Sequence, residues 1–380
     1  MSAHAKTGHN EARRSPVQIG LNALFKRPLN KRRVLIYVRN KMCNCQLYER
    51  SFVSSGYMCV SAHVRKGGLS LGYNKLGVCL LLGQTHEKIV IHRYISHNGL
   101  IVPVEQARLS PGQAGLLNGW GLFTTMRVFR GESFAFERHW KRLQKDAGRT
   151  RMPFPFDSSQ VRSNLHELIQ RNDVREGTAR IYAVYNKVGF WQSGEDFPDV
   201  DLLLCTAGLP SYREPVRLTL SEHSRHAASP LAGVKVTSWI FNVWTLQGAQ
   251  QRGFDEALLL NERGEIAECT AANVFCARDG RVFTPPLSSG CLEGVTRGIL
   301  LDIAPATGIP VEEKTLRPED LYAADEVFIS STNRSLIGVS EVDGHKFAGA
   351  PGPITQRLEQ AFNNHMIDYV SRIAHPAAKL

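Results

Sequence analysis

The sequence lacks any long hydrophobic run. No stretch of its 380 residues approaches the roughly 18–20 apolar residues that a membrane-spanning helix needs. Cysteine is sparse as well, with 8 residues and no Cys-x-x-Cys pair, so neither a disulfide framework nor a metal site is expected. The first residues also carry no compact secretory signal. Together these absences predict a cytoplasmic protein that makes no contact with a membrane.

The common nucleotide- and metal-binding motifs are missing too. There is no Walker loop, no Gly-x-Gly-x-x-Gly fingerprint and no His-x-x-x-His pair. Residues 68–72 do fit the Gly-x-Ser-x-Gly pattern of a nucleophile elbow, but that motif needs a strand before the serine and a helix after it. A basic, Gly-rich stretch precedes Ser70 and Gly72 follows it, so we do not expect Ser70 to be catalytic.

The net charge of +11 belongs almost entirely to the first quarter of the chain. Residues 1–90 hold 15 Lys/Arg against 3 Asp/Glu, whereas residues 91–380 hold 31 against 32. The basic segment shows no sustained period of 2 or 3.6 and no aromatic interleaving, so nucleic acid is not an expected partner. We predict that residues 1–90 are a disordered tail or a non-native extension from an upstream start codon.

From residue 91 onward the sequence is regularly patterned. Apolar–polar alternation at 122–129 and again at 134–136 predicts a β-hairpin. The other predicted strands are 178–186, 200–206, 216–221, 256–260, 273–277, 282–284 and 327–330. The predicted helices are 137–147, 160–171, 238–252, 294–307 and 353–372. Gly, Pro and Ser at 207–212 predict a linker between a small domain, 91–206, and a larger one, 213–375, in an α+β fold.

Four segments carry residues suited to chemistry. Lys235 lies in a mostly apolar stretch, where a lowered pKa would make it a nucleophile, although most lysines are simply solvated. Glu268 precedes a run of small residues and could accept hydrogen bonds from nearby amides. Residues 294–297 open a predicted helix, whose free amides bind an anion or form an ordinary cap. Residues 330–333 end a strand in three hydroxyls, as phosphate cradles and plain turns both do.

In their order and spacing, these segments resemble the class IV aminotransferases, the fold-type IV family of pyridoxal phosphate enzymes. That family includes branched-chain and D-amino-acid aminotransferases and 4-amino-4-deoxychorismate lyase. The resemblance extends from residue 91 to about 370 and is carried by residues 115–123, 139–143, 268–275, 284–297 and 324–332. It implies a small N-terminal α/β domain, a larger domain with a β-barrel-like core, and a homodimer with the active site near the subunit interface.

The same resemblance implies pyridoxal 5′-phosphate as the cofactor. Lys235 aligns with the lysine that forms the Schiff base and then moves the proton between the substrate Cα and the cofactor. Glu268 would pair with the pyridine nitrogen and keep the ring protonated. The groups that would hold the phosphate are the Arg142 guanidinium, the backbone amides of Val295 and Thr296, and the Thr332 hydroxyl.

Three positions near the expected substrate pocket concern specificity. Trp239 stands where many relatives have a tyrosine that donates to the phenolic oxygen of the cofactor, so its indole N–H replaces that donor or the bond is lost. Trp120 stands where many relatives have an aspartate, which changes the pocket entrance. Arg180 is a candidate partner for the substrate carboxylate, with a structural salt bridge as the alternative.

Two reactions remain open. An aminotransferase would move an amino group between a branched-chain or D-amino acid and a 2-oxo acid. The lyase would instead release pyruvate from aminodeoxychorismate to give 4-aminobenzoate, and Thr125 stands where that subgroup has a catalytic threonine. Because the surrounding signature is shared by all subgroups, we predict the aminotransferase and keep the lyase as the alternative.

Overall fold

The computed structural model describes residues 32–37, 47–52, 90–109, 111–187 and 189–374. The chain divides into two compact units, Met1–Thr85 and His86–Leu380. In the first unit, strands β1 (Arg32–Tyr37) and β2 (Leu47–Phe52) pair antiparallel. The rest of that basic segment, including Ser70, lies outside the described residues. The extension predicted for residues 1–90 therefore stays a prediction.

The second unit begins with an antiparallel sheet. Its strands are β3 (Ile91–His97), β4 (Leu100–Pro103), β5 (Gly121–Phe129), β6 (Glu132–Ser133), β7 (Glu176–Tyr185) and β8 (Val200–Ala207). They lie in the order β4-β3-β8-β7-β5-β6. The accompanying helices are α1 (Ala114–Asn118), α2 (Phe136–Arg149) and α3 (Ser158–Arg171). Trp140 and Leu143 of α2 pack with Leu165 and Leu168 of α3 in the core beneath β5 and β7, because helical spacing puts each pair on one face.

The predicted hairpin is right in its first strand and wrong in its second. Strand β6 covers only Glu132–Ser133 before the chain turns into helix α2. The cause is local, because Ala135 adopts a left-handed conformation with φ of 57° that ends the extended backbone. Phe134 and Phe136, which the alternation placed on a strand, are buried on either side of that turn.

The second sheet lies in the C-terminal part of the unit. Its strands are β9 (Val216–Arg225), β10 (Glu256–Asn261), β11 (Ile266–Cys269), β12 (Asn273–Arg278), β13 (Arg281–Thr284), β14 (Val311–Glu313), β15 (Glu326–Ser331), β16 (Ser335–Val342) and β17 (His345–Lys346). They lie in the order β11-β10-β9-β16-β15-β12-β13-β14, with β17 pairing β16. Three of the pairs are parallel: β9 with β10, β9 with β16, and β13 with β14. The remaining pairs in this sheet are antiparallel.

Four helices belong to this part of the chain: α4 (Ile240–Gln251), α5 (Val295–Ile303), α6 (Pro318–Tyr322) and α7 (Pro353–Ala374). Leu287–Ser289 and Ala304–Thr307 are short 3-10 segments. The helix predicted at 294–307 therefore ends earlier, at Ile303. Pro305 lacks the N–H that would continue it, and the chain tightens into the second 3-10 segment.

The α+β class predicted from the sequence is confirmed, and both sheets curl into half-barrels. The two sheets share side chains at their border. Val234 and Val236 pack against the core of the first sheet, and Phe134 joins the core around α5 and α7. The domain limits at 206 and 213 stay predictions. Within the described part of the chain, no helix combines the length and apolar character needed to cross a bilayer.

Candidate active site

Lys235 lies in the loop between β9 and α4, at the border of the two sheets. Its carbonyl accepts the Phe123 N–H at 3.0 Å, and Val236 bridges to Leu122 on the same strand. Its own N–H donates to Oδ2 of Asp146 on α2, at 3.2 Å. Both main-chain polar groups of Lys235 are therefore fixed by neighbouring elements, so the side chain extends from a defined point.

The side chain of Lys235 lies among aromatic rings and charges. Its Nζ is 4.4 Å from the centre of the Phe123 ring and 5.9 Å from that of Trp239. Burial, and then Arg142 and Arg180, lower the pKa of Lys235 to about 7, while Glu268 and Asp146 oppose that shift. An amine with such a pKa is partly uncharged near neutral pH and can act as a nucleophile or a base.

A pocket rich in hydrogen-bond donors lies where α2 meets the start of α5. Arg142 is only 8% exposed, and its guanidinium donates to Thr124 Oγ1 at 2.8 Å and to the Glu293 carbonyl at 3.2 Å. Gly294, the N-cap of α5, offers no side chain to the amides of the first turn, and those amides have no acceptor within the helix. The Nε of Arg142 is buried without a partner among the described residues.

Thr332 joins the same region from a third segment. It lies in the turn between β15 and β16 and lines a small cavity together with Val295, Thr296 and His139. All of the residues that the resemblance assigned to the phosphate are thus close to the start of α5. A cationic fork, uncapped helix amides and a hydroxyl together suit a dianionic group.

Beneath this pocket, Thr124 connects His139 to Arg142. Its Oγ1 lies 2.8 Å from His139 Nδ1 and 2.8 Å from Arg142 Nη2. Arginine can only donate, so the Thr124 hydroxyl accepts from Arg142 Nη2 and bridges it to the His139 ring. Burial, and then the charges of Arg142 and Lys235, hold the pKa of His139 well below its usual range, which favours the uncharged imidazole.

Glu268 lies on β11 and is 7% exposed. One carboxylate oxygen accepts from Arg225 Nη2 at 2.9 Å, and the other accepts the Leu292 N–H at 3.1 Å. These donors hold the carboxylate in one orientation and compensate its charge, while each oxygen keeps a free lone-pair direction. Asn273, in the same segment as Glu268, donates to the Leu292 carbonyl at 3.0 Å and so braces the loop that contacts Glu268.

An aromatic wall with one guanidinium flanks Lys235. The rings of Phe123 and Tyr182 stack with centres 5.7 Å apart, and Trp239 meets Phe123 edge-on at 6.0 Å. Arg180 donates to the Tyr182 hydroxyl at 2.9 Å and makes no ion pair with any described residue. The structural salt bridge considered for Arg180 is therefore not seen in the described part of the chain.

The remaining two predicted site residues lie at the edges of the region. Thr125 is buried on β5, directly opposite Arg180 in the pairing of β5 with β7. Trp120 is 39% exposed, and its carbonyl accepts the Tyr185 N–H at 2.9 Å, next to the Lys235 loop. Thr125 adjoins Thr124, whereas Trp120 follows Gly119, whose carbonyl accepts the Ser238 hydroxyl of the lysine loop.

Some residues of the site were not singled out from the sequence. They are Thr124, His139, Asp146, Tyr182 and Arg225. His139 and Thr124 lie inside the motif segments, so the motifs contained a signal for them. Asp146 follows Arg142 by four residues on a helix, a spacing that indicates a shared face. Arg225 has no local signal.

The donor set fits pyridoxal 5′-phosphate. The unpartnered Arg142 Nε and the uncapped amides of α5 suit its phosphate. The fixed Glu268 carboxylate suits a protonated ring nitrogen, and the Lys235 amine suits an aldehyde carbon. These three features come from separate segments of the chain, as an elongated cofactor with distinct ends requires.

Comparison with known proteins gives a consistent result. Residues 121–342 match the family model described as amino-transferase class IV. The D-alanine aminotransferase of Bacillus licheniformis is 27% identical over 285 residues, covering 72% of this chain and 98% of that protein. The branched-chain-amino-acid aminotransferase of Escherichia coli K12 is 28% identical over 282 residues, covering 71% and 91%. The crystal structure of the Thermoproteus uzoniensis branched-chain aminotransferase with norvaline aligns with a TM-score of 0.67 at 27% identity, covering 73% and 96%.

Proposed function

The chain belongs to the class IV aminotransferases, and from this premise we propose that its substrates are a branched-chain or D-amino acid and a 2-oxo acid. It is a pyridoxal-phosphate-dependent aminotransferase. The relatives named above are aminotransferases, so the lyase alternative, and with it a catalytic role for Thr125, is not favoured. The observation that carries the proposal is a lysine with a pKa of about 7 close to a fixed carboxylate and to the donors of Arg142 and the uncapped α5 amides.

Five groups would hold the cofactor. The phosphate would be bound by Arg142, by the amides of Val295 and Thr296, and by the Thr332 hydroxyl. Glu268 would bind the ring nitrogen. When bound, the cofactor supplies an electron-withdrawing ring that stabilises negative charge at the substrate Cα.

The protein's own groups would move the proton. Lys235 Nζ, partly uncharged near neutral pH, would take the proton from the substrate Cα and pass it to the cofactor. Phe123 and Trp239 lie against the amine and would limit the access of water. Arg225 and the Leu292 N–H would hold the Glu268 carboxylate in one orientation against the ring nitrogen.

Arg180 is the group we assign to the substrate carboxylate. Its charge acts on Lys235, and it has no acidic partner among the described residues. The aromatic face formed by Phe123, Tyr182 and Trp239 would receive an apolar side chain. Trp120, which is partly exposed, would border the entering substrate.

We also propose a homodimer. Ile240 and Trp244 on the first turns of α4 are 83% and 71% exposed, and Leu117 on α1 is exposed nearby. The Gly119 carbonyl accepts a hydrogen bond from the Ser238 hydroxyl at 2.7 Å. This contact brings the exposed end of α1 next to the exposed start of α4, close to the site. A second copy of the chain would cover this surface. A cytoplasmic location remains a prediction.

A direct test is amino transfer by the full-length enzyme reconstituted with pyridoxal phosphate. Matched L- and D-amino acids would be offered with 2-oxoglutarate or pyruvate as acceptor, and Lys235→Ala would be the inactive control. Transfer from branched-chain or D-amino acids supports the proposal. Absence of transfer with every pair, together with pyruvate release from aminodeoxychorismate, would establish the lyase instead.

A further inference from the structure

Asp146 is a buried carboxyl group whose place in the fold calls for an explanation. Its side chain is 3% exposed, yet no Lys or Arg nitrogen among the described residues lies within 4 Å of its oxygens. Buried carboxylates are normally paired, because an uncompensated charge in the interior is costly. The contact that this carboxylate does make is with the main-chain N–H of Lys235, at 3.2 Å.

Asp146 is part of a row of functional side chains on α2. His139, Arg142, Asp146 and Arg149 follow one another at intervals of three, four and three, so they share one face of the helix. The first two bind Thr124 and the carbonyl that precedes α5. Arg149 donates to the carbonyls of Pro230 and Ala232 at 2.7 and 2.8 Å, which ties the lysine loop to the same helix.

The two halves of this row serve two ends of one site. The N-terminal half contacts the proposed phosphate pocket, and the C-terminal half holds the loop that carries Lys235. Between them lies a hydrogen-bonded helix with a rise of about 1.5 Å per residue, which behaves as a rigid spacer over this distance. The distance from the phosphate pocket to the base of the lysine is therefore determined largely by α2.

We propose that Asp146 is a positioning residue for Lys235: together with Arg149 it ties the lysine loop to the helix that also carries the phosphate-binding Arg142. The inference rests on the proposed role of Lys235 as the cofactor lysine. Asp146 touches neither the substrate nor the reacting atoms and acts through the main chain of Lys235 and through its charge.

The charges around the pair determine the sign of the electrostatic effect. Burial raises the pKa of Asp146, and the Lys235 N–H, Arg142, Arg149 and Lys145 oppose that rise by favouring the carboxylate. On Lys235, the negative charges of Asp146 and Glu268 oppose Arg142, Arg180 and burial. His139 is neutral and adds no charge. Removing the charge of Asp146 should therefore lower the pKa of the Lys235 nitrogen.

The test compares three variants of the full-length enzyme loaded with pyridoxal phosphate. Asp146→Asn keeps an oxygen that can accept the Lys235 N–H but removes the charge, whereas Asp146→Ala removes both. Arg149→Lys keeps the charge on a shorter side chain, so its nitrogen falls short of the Pro230 and Ala232 carbonyls that Arg149 Nη2 contacts. Asp157→Asn is the matched control, since Asp157 is an exposed helix cap whose replacement can still accept from the Gln160 N–H.

Two readouts separate positioning from general stability: the pH midpoint of the lysine-bound cofactor absorbance, and the rate of cofactor release. In Asp146→Asn the midpoint should fall by roughly 0.5–1 pH unit, with release little changed. In Asp146→Ala it should fall likewise, and release should accelerate roughly tenfold for the lost charged hydrogen bond. Arg149→Lys should accelerate release without moving the midpoint.

The outcomes distinguish this inference from the proposed function. A wild-type enzyme without a lysine-dependent absorbance band would contradict the function itself. A normal wild-type band, with the Asp146→Asn and Asp146→Ala midpoints equal to that of Asp157→Asn, would overturn the positioning role. A purely structural role would lower melting temperatures and leave all midpoints in place.

Discussion

Gly294 is the residue at which the packing of the phosphate pocket can be tested most sharply. Its backbone angles, φ −66° and ψ 134°, are open to any residue, so replacing it with alanine causes no conformational strain. A Cβ there would lie 2.0 Å from Asn273 Oδ1 and 3.2 Å from Asn273 Cγ. The effect of Gly294→Ala should therefore be purely steric, and it should arise from the clash with the Asn273 side chain.

The magnitude follows from what must move. Asn273 is 6% exposed and donates to the Leu292 carbonyl at 3.0 Å, so it cannot rotate away without losing that bond. Overpacking a buried site costs about 1–3 kcal/mol, and the lost hydrogen bond adds about 1 kcal/mol. We expect Gly294→Ala to lower the free energy of unfolding of the cofactor-free enzyme by about 2–4 kcal/mol. The clash should also displace the neighbouring amides of Val295 and Thr296, and this displacement should weaken the binding of pyridoxal phosphate.

A double-mutant cycle with Asn273→Ala identifies the cause. With the clashing amide removed, Gly294→Ala should cost at least about 1 kcal/mol less than it does in the wild-type background. Urea unfolding and cofactor titration measure both quantities. Gly148→Ala is the control, because a Cβ on this exposed helical glycine meets no atom within 4 Å and should be neutral or stabilising. Equal costs of Gly294→Ala in the two backgrounds would refute the steric account.

Three further predictions concern the charged groups of the site. Glu268→Gln should keep the absorbance band of the lysine-bound cofactor but lower kcat by at least roughly tenfold. The reason is that the ring nitrogen loses its anionic partner and Arg225 loses its ion pair. Stopped-flow absorbance of the half-reaction measures this rate. Since the pKa of Lys235 falls from 10.5 to about 7 on folding, the unfolded chain binds more protons at this lysine between those values. The unfolding free energy of the cofactor-free wild type should therefore rise relative to Lys235→Met between pH 7 and 10, and a constant difference would contradict the shift. Arg180→Met should raise KM for amino acids roughly tenfold or more, but it should leave KM unchanged for an amine that has no carboxylate. An equal rise in KM for both substrates would argue against a contact between Arg180 and the substrate carboxylate.

The sequence predicted what depends on local pattern. Strands such as β5 and helices such as α3 follow from alternation and helical spacing, and the motif segments that hold Lys235, Glu268 and Arg142 lie together in the structure. Short elements escaped prediction for a local reason. Strands β11 and β14 have only four and three residues, too few to show a period.

Contacts between distant segments could not be predicted from the sequence, for a different reason. Asp146 meets Lys235 across 89 positions of sequence, and Arg225 meets Glu268 across 43. Nothing near either residue indicates its partner, because only the folded chain brings the segments together. The interval from Arg142 to Asp146 does predict a shared helix face, but not which loop that face would contact.

The central claim is that Lys235 is the cofactor lysine of an aminotransferase, and an absorbance spectrum tests it most directly. The full-length enzyme and Lys235→Ala would be mixed with pyridoxal phosphate, freed of excess cofactor and examined before and after addition of a branched-chain or D-amino acid. We expect a protein-bound band in the wild type that is absent from the variant and that disappears as the amino acid transfers its amino group. A wild-type spectrum identical to that of Lys235→Ala would contradict the account.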